Sequence, residues 1–270
     1  MNQTTELKFE NFDLRPQAKI VSHILKTLGS MVEPGVRLSD LEQMAEIMIN
    51  KAGATSYNRG YHPAWTKSPY PAILCTNVND GIAHNPPTNY KLQEGDIINI
   101  DLGIKFGSFC GDAALTVPVG QIENKHERLL RYAKRTLYEG IKHVKAGVEV
   151  WELGRVMGNY ALQMGYVTIK SFTGHKIGFE MHDGDCYIFN YDPPEDIKAK
   201  YGHIKLEAGD VICLEPMLTF KDSMGKCDDP TGWAWKTRDG KSVAMFEHMI
   251  LVKEDGYEIL TDHISEEVKA

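Results

Sequence analysis

Ten residues of this chain return in altered form 112 positions later, and that recurrence limits the folds open to it more than any other feature. Val32-Glu-Pro-Gly35-Val-Arg-Leu-Ser-Asp-Leu41 is matched by Val144-Lys-Ala-Gly147-Val-Glu-Val-Trp-Glu-Leu153, and Gly53 by Gly165 at the same offset. Leu92-Gln-Glu-Gly-Asp96-Ile-Ile-Asn-Ile-Asp101 returns as Leu206-Glu-Ala-Gly-Asp210-Val-Ile-Cys-Leu-Glu215, displaced by 114. A period near half the chain is too long for a solenoid of many units. It predicts one α+β domain of two pseudo-symmetric halves. Within each half, helices come first: Ile20, Ile24, Leu25 and Leu28, then Leu41, Met44, Ile47 and Met48, recur at helical spacing. Strands follow at residues 97–102 and 211–214, aliphatic runs introduced by a Gly-Asp turn.

Composition narrows the class. With 270 residues, 42% hydrophobic and 25% charged, the chain has the make-up of an ordinary globular protein with a sizeable core. Residues 1–16 carry no apolar h-region, and no window approaches the ~20 apolar residues of a membrane span, so a cytoplasmic location without membrane attachment is expected. The five cysteines are scattered and contain no C-x-x-C, which argues against a disulfide framework or zinc ribbon and for core or pocket thiols. A net charge of −7 without a basic stripe lacks the footprint of a nucleic-acid binder.

Both repeated strands end in a carboxylate, Asp101 and Glu215, and pseudo-symmetry brings such residues face to face. After Asp101, an alternating stretch leads through Phe106-Gly107 to Gly111-Asp112. A two-residue turn at Phe106-Gly107 would set Asp101 directly opposite Asp112, two like charges that only a cation reconciles; a bulge or longer loop would separate them. Further donors are Gly174-His175, Leu214-Glu215-Pro-Met, and Phe246-Glu247-His248 within an apolar run, residues 243–252, expected to be one strand. A lone Glu in a strand is usually solvated and a lone His beside glycines usually structural. Four carboxylates and an imidazole converging on one cleft instead suit a pair of divalent ions of intermediate hardness: manganese, iron, cobalt or zinc.

The order Asn99-Ile-Asp101, Gly111-Asp112, Gly174-His175, Leu214-Glu215-Pro-Met and Phe246-Glu247-His resembles the type I methionine aminopeptidases over roughly residues 10–262. The resemblance implies a pita-bread fold, helices packed on a curved antiparallel sheet, with a tail at residues 1–10 and one catalytic domain at 11–264 in halves of about 11–125 and 126–264. It implies that Asp101, Asp112, His175, Glu215 and Glu247 hold two metal ions, that Glu215 also shuttles the proton of the attacking water, and that His182 and His84 contact the scissile carbonyl and the departing amide. Tyr61, Trp65, Cys75 and Trp233 fall at or near the family's methionine pocket, with Met181, Met217 and Met245 nearby. Substrates would be peptides or nascent proteins with free N-termini, met transiently at the ribosome.

The match departs from the family at Lys176 beside a metal ligand, at Gly103 where Thr or Ser is usual, at Met245, and at His84-Asn-Pro-Pro. Extra residues between Tyr61 and Cys75 and between His182 and Glu215, the latter including an exposed loop at 192–196, are expected to border the active-site mouth. Two other readings stand beside this one: a peptidase of the same fold cleaving Xaa-Pro or other small peptides, whose members usually carry an N-terminal domain for which this chain has no room, and a pita-bread binding protein that has lost catalysis.

Overall fold

The computed structural model describes residues 13–201 and 204–264; the expected tail at residues 1–10 lies outside them. The first half runs α1 (Arg15–Met31), α2 (Leu38–Lys51), β1 (Thr55–Ser56), β2 (Leu74–Val78), β3 (Gly81–Ala83), β4 (Ile97–Phe106) and β5 (Phe109–Pro118). The second begins with α3 (Asn124–Ile141) and α4 (Val150–Gln163), then β6 (Val167–Thr168), β7 (Thr173–Lys176), β8 (Tyr187–Phe189) and α5 (Glu195–Tyr201). It ends with β9 (Val211–Leu214), β10 (Met217–Thr219), β11 (Gly225–Cys227), β12 (Trp235–Thr237), β13 (Ala244–Met245), β14 (His248–Lys253) and β15 (Gly256–Ile259).

The repeat is a structural one. Gly35 N–H donates to Leu92 O and Gly147 N–H to Leu206 O, each at 2.8 Å, and isolated bridges join Arg37 to Lys91 and Glu149 to Lys205. Both glycines lie at positive φ, 98° and 84°, where a side chain would be strained. Each half therefore clips the turn before its second helix to the segment that leads into its principal strand. The core fills the space between helices and sheets: Ile24, Leu25 and Leu28 of α1 meet Ile98, Ile100 and Leu115, and Leu137, Leu153 and Met157 meet Ile212 and Leu214 in the same cluster. Ile47 corrects the expected stripe of α2, being 54% exposed. The buried face is Leu41, Ala45 and Ile49, and a residue two positions from either neighbour stands about 200° round the helix.

Antiparallel ladders carry the site. β4 pairs β5 along one edge and β1 and β2 along the other, and β15-β14-β9-β7-β8 form a second sheet. The hairpin register differs from expectation by two residues: Phe106 pairs Phe109, Gly103 pairs Asp112, and Asp101 pairs Ala114. The loop is Gly107-Ser108, with Gly107 at φ 61°, the position where a tight hairpin loop takes glycine. A shift of two keeps every side chain on its face, so Asp101 and Asp112 remain diagonal neighbours.

The apolar run at 243–252 is two strands. β13 pairs β10 and β14 pairs β9, and the chain crosses between them at Phe246-Glu247. Strand β5 bridges the break: Thr116 Oγ1 donates to Met245 O at 2.7 Å and accepts from Met245 N–H at 2.9 Å, and Glu247 N–H donates to Ala114 O at 3.0 Å. The second expected mouth loop is irregular at residues 192–194, exposed at Asp192 and Pro194, and turns helical after them. Residues 195–201 form α5, which buries no residue and reaches α4 through Lys198 Nζ, 4.5 Å from the Trp151 ring. Gly158 of α4 admits the approaching chain, since a Cβ there would meet Tyr191 Cα at 2.8 Å. Among the described residues, no helix is long and apolar enough to cross a membrane.

Candidate metal centre

Five strand ends or strand faces deliver the expected donors to one place. Asp101 and Asp112 come from the β4–β5 hairpin, His175 from β7, and the β9–β14 ladder ends at the pair Leu214–His248, leaving Glu215 and Glu247 as the next residue on each strand. His175 Nε2 lies 3.7 Å from Asp112 Oδ2 and 3.8 Å from Glu215 Oε1. Its Nδ1 is 3.1 Å from Lys176 O; a carbonyl only accepts, so Nδ1 carries the proton and the unprotonated Nε2 faces the carboxylates.

Electrostatics disfavour that arrangement with all its carboxylates ionised and no cation among them. Burial pushes Asp101 up to about 7. Asp112, Glu215 and Glu247 are held well above the usual carboxylate range, by burial first and by one another's charge second. His175 is pushed down to about 3, again chiefly by burial, so it supplies no cation. Asp112 Oδ1 and Glu247 Oε1 are buried without a hydrogen-bond partner, although such groups are almost always satisfied in folded proteins. Lone pairs from nitrogen and oxygen, aimed into one buried space where the Cys213 thiol is the donor set against Glu247, are the chemistry of a site for divalent ions.

Lys176 does not enter that space. Alternation along β7 turns it to the other face, where its Nζ sits 2.7 Å from the buried Asp210 carboxylate. Gly103 is explained by Met181: a Cβ there would meet Met181 Cε at 2.6 Å, so the methionine occupies the room a larger residue would need.

The flanking histidines and several of the residues expected to line a pocket also come together. The His182 ring centroid is 4.5 Å from that of His175 and 6.3 Å from that of Tyr61. His84 packs edge-on against Phe172 at 5.2 Å and Trp233 at 5.8 Å, with Trp65 5.8 Å away. It stands at φ 56°, a conformation non-glycine residues rarely adopt. The departure Asn85 supports it: Asn85 Nδ2 donates to Asn77 Oδ1 at 2.7 Å and Trp235 O at 3.0 Å, holding the bend. Burial lowers His84 to about 4, so it is neutral at physiological pH. Cys75, Trp233, Tyr70 and Ala72 form one buried cluster with Tyr61 against it, while Trp65 stands 52% exposed beside it. Met217 and Met245 lie in a separate cluster with Ile82 and Ala83, and Met181 in a third.

Sequence reasoning missed Tyr70 and Phe172, aromatics without a motif, and Cys213, whose donor atom lies with those of Asp112, His175 and Glu247, all within 4.8 Å of one another. The signal for Cys213 was its spacing, two before Glu215 on a strand, which places both on one face.

A buried multi-carboxylate centre between two repeated halves, fed by antiparallel strands, defines a metallohydrolase of the pita-bread class. The profile of metallopeptidase family M24 matches residues 13–254, and the chain belongs to that family. The methionine aminopeptidase of Aquifex aeolicus is 33% identical over 92% of this chain and 95% of its own length. The crystal structure of methionine aminopeptidase from Rickettsia prowazekii superposes with a TM-score of 0.84 at 28% identity, covering 92% of this chain and 95% of that one. The prolidase from Pyrococcus furiosus, at 17% identity and a TM-score of 0.70, covers 93% of this chain but is itself covered over 63%; it shares the fold.

Proposed function

We propose that this chain is a methionine aminopeptidase, removing N-terminal methionine from peptides and new proteins with two divalent ions held by Asp101, Asp112, His175, Glu215 and Glu247. The observation that carries the reading is the pair of orphaned carboxylate oxygens, Asp112 Oδ1 and Glu247 Oε1, in a chain that also gathers Cys75, Tyr70, Trp233 and Tyr61 into one aromatic and sulfur-bearing cluster. Bound ions would supply hydroxide near neutral pH and stabilise charge on the scissile carbonyl oxygen. Glu215 takes the proton of the attacking water and returns it to the departing amine. His182, against His175 at the open side of the centre, donates to the carbonyl oxygen. His84, kept neutral by burial, contacts the departing amide. Cys75, Tyr61 and Trp233 close around an unbranched thioether side chain, with Trp65 at the rim.

Relatives named as methionine aminopeptidases, matched over nearly their full length, support this over an Xaa-Pro peptidase, and the intact donor set supports it over a non-catalytic binding protein. We place the enzyme in the cytoplasm, meeting nascent chains transiently at the ribosome. With a net charge of −7, we expect no nucleic-acid partner.

The deciding experiment is hydrolysis of Met-Ala-Ser, Ala-Pro and Leu-Ala by metal-stripped protein and after adding manganese, cobalt, iron or zinc. Metal-dependent release of methionine alone is expected. Turnover of Ala-Pro instead would transfer the chain to the Xaa-Pro peptidases, and no turnover with any metal would favour the binding protein.

A further inference from the structure

One nucleophile stands on the donor face of the second sheet and has no part in the chemistry above. Cys213 is completely buried and pairs in register with His175 on one side and Met249 on the other. Directly paired residues project to the same face with Cβ atoms about 5 Å apart, so thiol and imidazole point into the same space. The donor atoms of Asp112, His175, Cys213 and Glu247 lie within 4.8 Å of one another. Two of those partners carry buried oxygens without a hydrogen-bond partner, Asp112 Oδ1 and Glu247 Oε1, and the Cys213 thiol hydrogen-bonds the Glu247 carboxylate, so the sulfur shares its space with groups that a cation would satisfy. Ile177, Val211 and Met249 pack in one buried cluster with Cys213 and shield the sulfur from water, which favours a metal–sulfur bond over hydration.

We propose that Cys213 Sγ is a sulfur donor to an ion held with His175, Asp112 and Glu247, giving this centre a mixed nitrogen, sulfur and oxygen ligand set that favours zinc, cobalt or iron over manganese. The inference rests on the metallopeptidase reading. Thiolate is a soft ligand that suits zinc and iron, whereas manganese prefers oxygen. The thiol proton is released to solvent as the metal–sulfur bond forms.

The test is cobalt(II) titration of the metal-stripped full chain, followed by absorption. Native protein should show a near-ultraviolet sulfur-to-cobalt charge-transfer band together with visible d–d bands. Cys213→Ser and Cys213→Ala should keep the d–d bands and lose the charge-transfer band, while Cys186→Ser, altering a buried thiol outside the centre, should keep both. X-ray absorption of the zinc-loaded native protein should contain a sulfur shell at about 2.3 Å, absent from both Cys213 variants. Competition between zinc and manganese should move toward manganese by about tenfold or more in those variants. Visible d–d bands without charge transfer in native protein, or a band that survives in the Cys213 variants, would overturn this proposal and leave the metallopeptidase reading standing. Native protein that binds no cobalt would overturn both.

Discussion

The two halves clip their backbones together in the same way and charge them differently. In the first, the buried Asp96 that closes the Gly-Asp turn is satisfied by neutral partners: Gln93 N–H at 2.9 Å, Tyr90 Oη at 2.8 Å and Asn79 Nδ2 at 2.7 Å. In the second, Asp210 takes the equivalent bond from Glu207 N–H at 2.8 Å but meets the Lys176 ammonium at 2.7 Å. The donors diverge too. The first half presents Asp101 and Asp112 on one hairpin of ten-residue strands, whereas the second spreads His175, Glu215 and Glu247 over three elements. Repetition fixes where the backbone passes; the chemistry comes from what each half has changed.

The largest effect should come from removing one proposed metal donor per half. Asp112→Ala and Glu247→Ala are each expected to lower kcat/KM by at least about 10³, several kcal/mol of lost charge stabilisation, with circular dichroism little changed. If either variant retained a tenth of native activity, its half would have to be struck from the donor set.

A smaller effect separates burial from binding. Asp101 has a folded pKa of about 7 against an ordinary 3.8, so between those values the folded state keeps a proton the unfolded chain gives up, and stability falls as pH rises. In metal-free protein, Asp101→Asn should therefore gain on native in urea unfolding by an amount that grows from pH 4 to pH 7, on the order of a few kcal/mol at most. A constant difference across that range would mean that Asp101 is not desolvated.

The smallest effects compare the two turns directly. Lys176→Met leaves Asp210 buried without its cation and should cost about 2–3 kcal/mol, below the usual figure for a buried pair because the lysine is partly exposed. Tyr90→Phe, removing a neutral partner of Asp96, should cost about 1 kcal/mol. Equal losses in thermal or urea unfolding would erase the distinction between the halves.

The candidate donors and the repeat were legible in the sequence because both rest on residue type at fixed spacing: a carboxylate closing each of two homologous strands, a histidine following a glycine. The hairpin register was not, since either Phe106-Gly107 or Gly107-Ser108 can serve as a two-residue loop and only the backbone at Gly107 decides. The break at Phe246-Glu247 was hidden for a similar reason. An apolar run looks continuous, while the Thr116 hydroxyl that lets it change partners lies more than a hundred residues away. Lys176 was ambiguous because its partner, Asp210, belongs to a different strand entry, and contacts of that kind have no local signature. Cys213 was passed over as a core thiol because the candidate donors that surround it arrive from β5, β7 and the β13–β14 crossing.

The seam between the halves also has a mechanical meaning. Asp112 and Glu247 are anchored to different repeats, so an ion gripping both is a staple that shuts a loop of more than a hundred residues. A disulfide closing a loop of that length removes about 4–5 kcal/mol worth of chain freedom. By the same reasoning, loading the centre should lock the clamshell as a unit, and a force drawing the two repeats apart would have to break coordinate bonds before it could peel the helices.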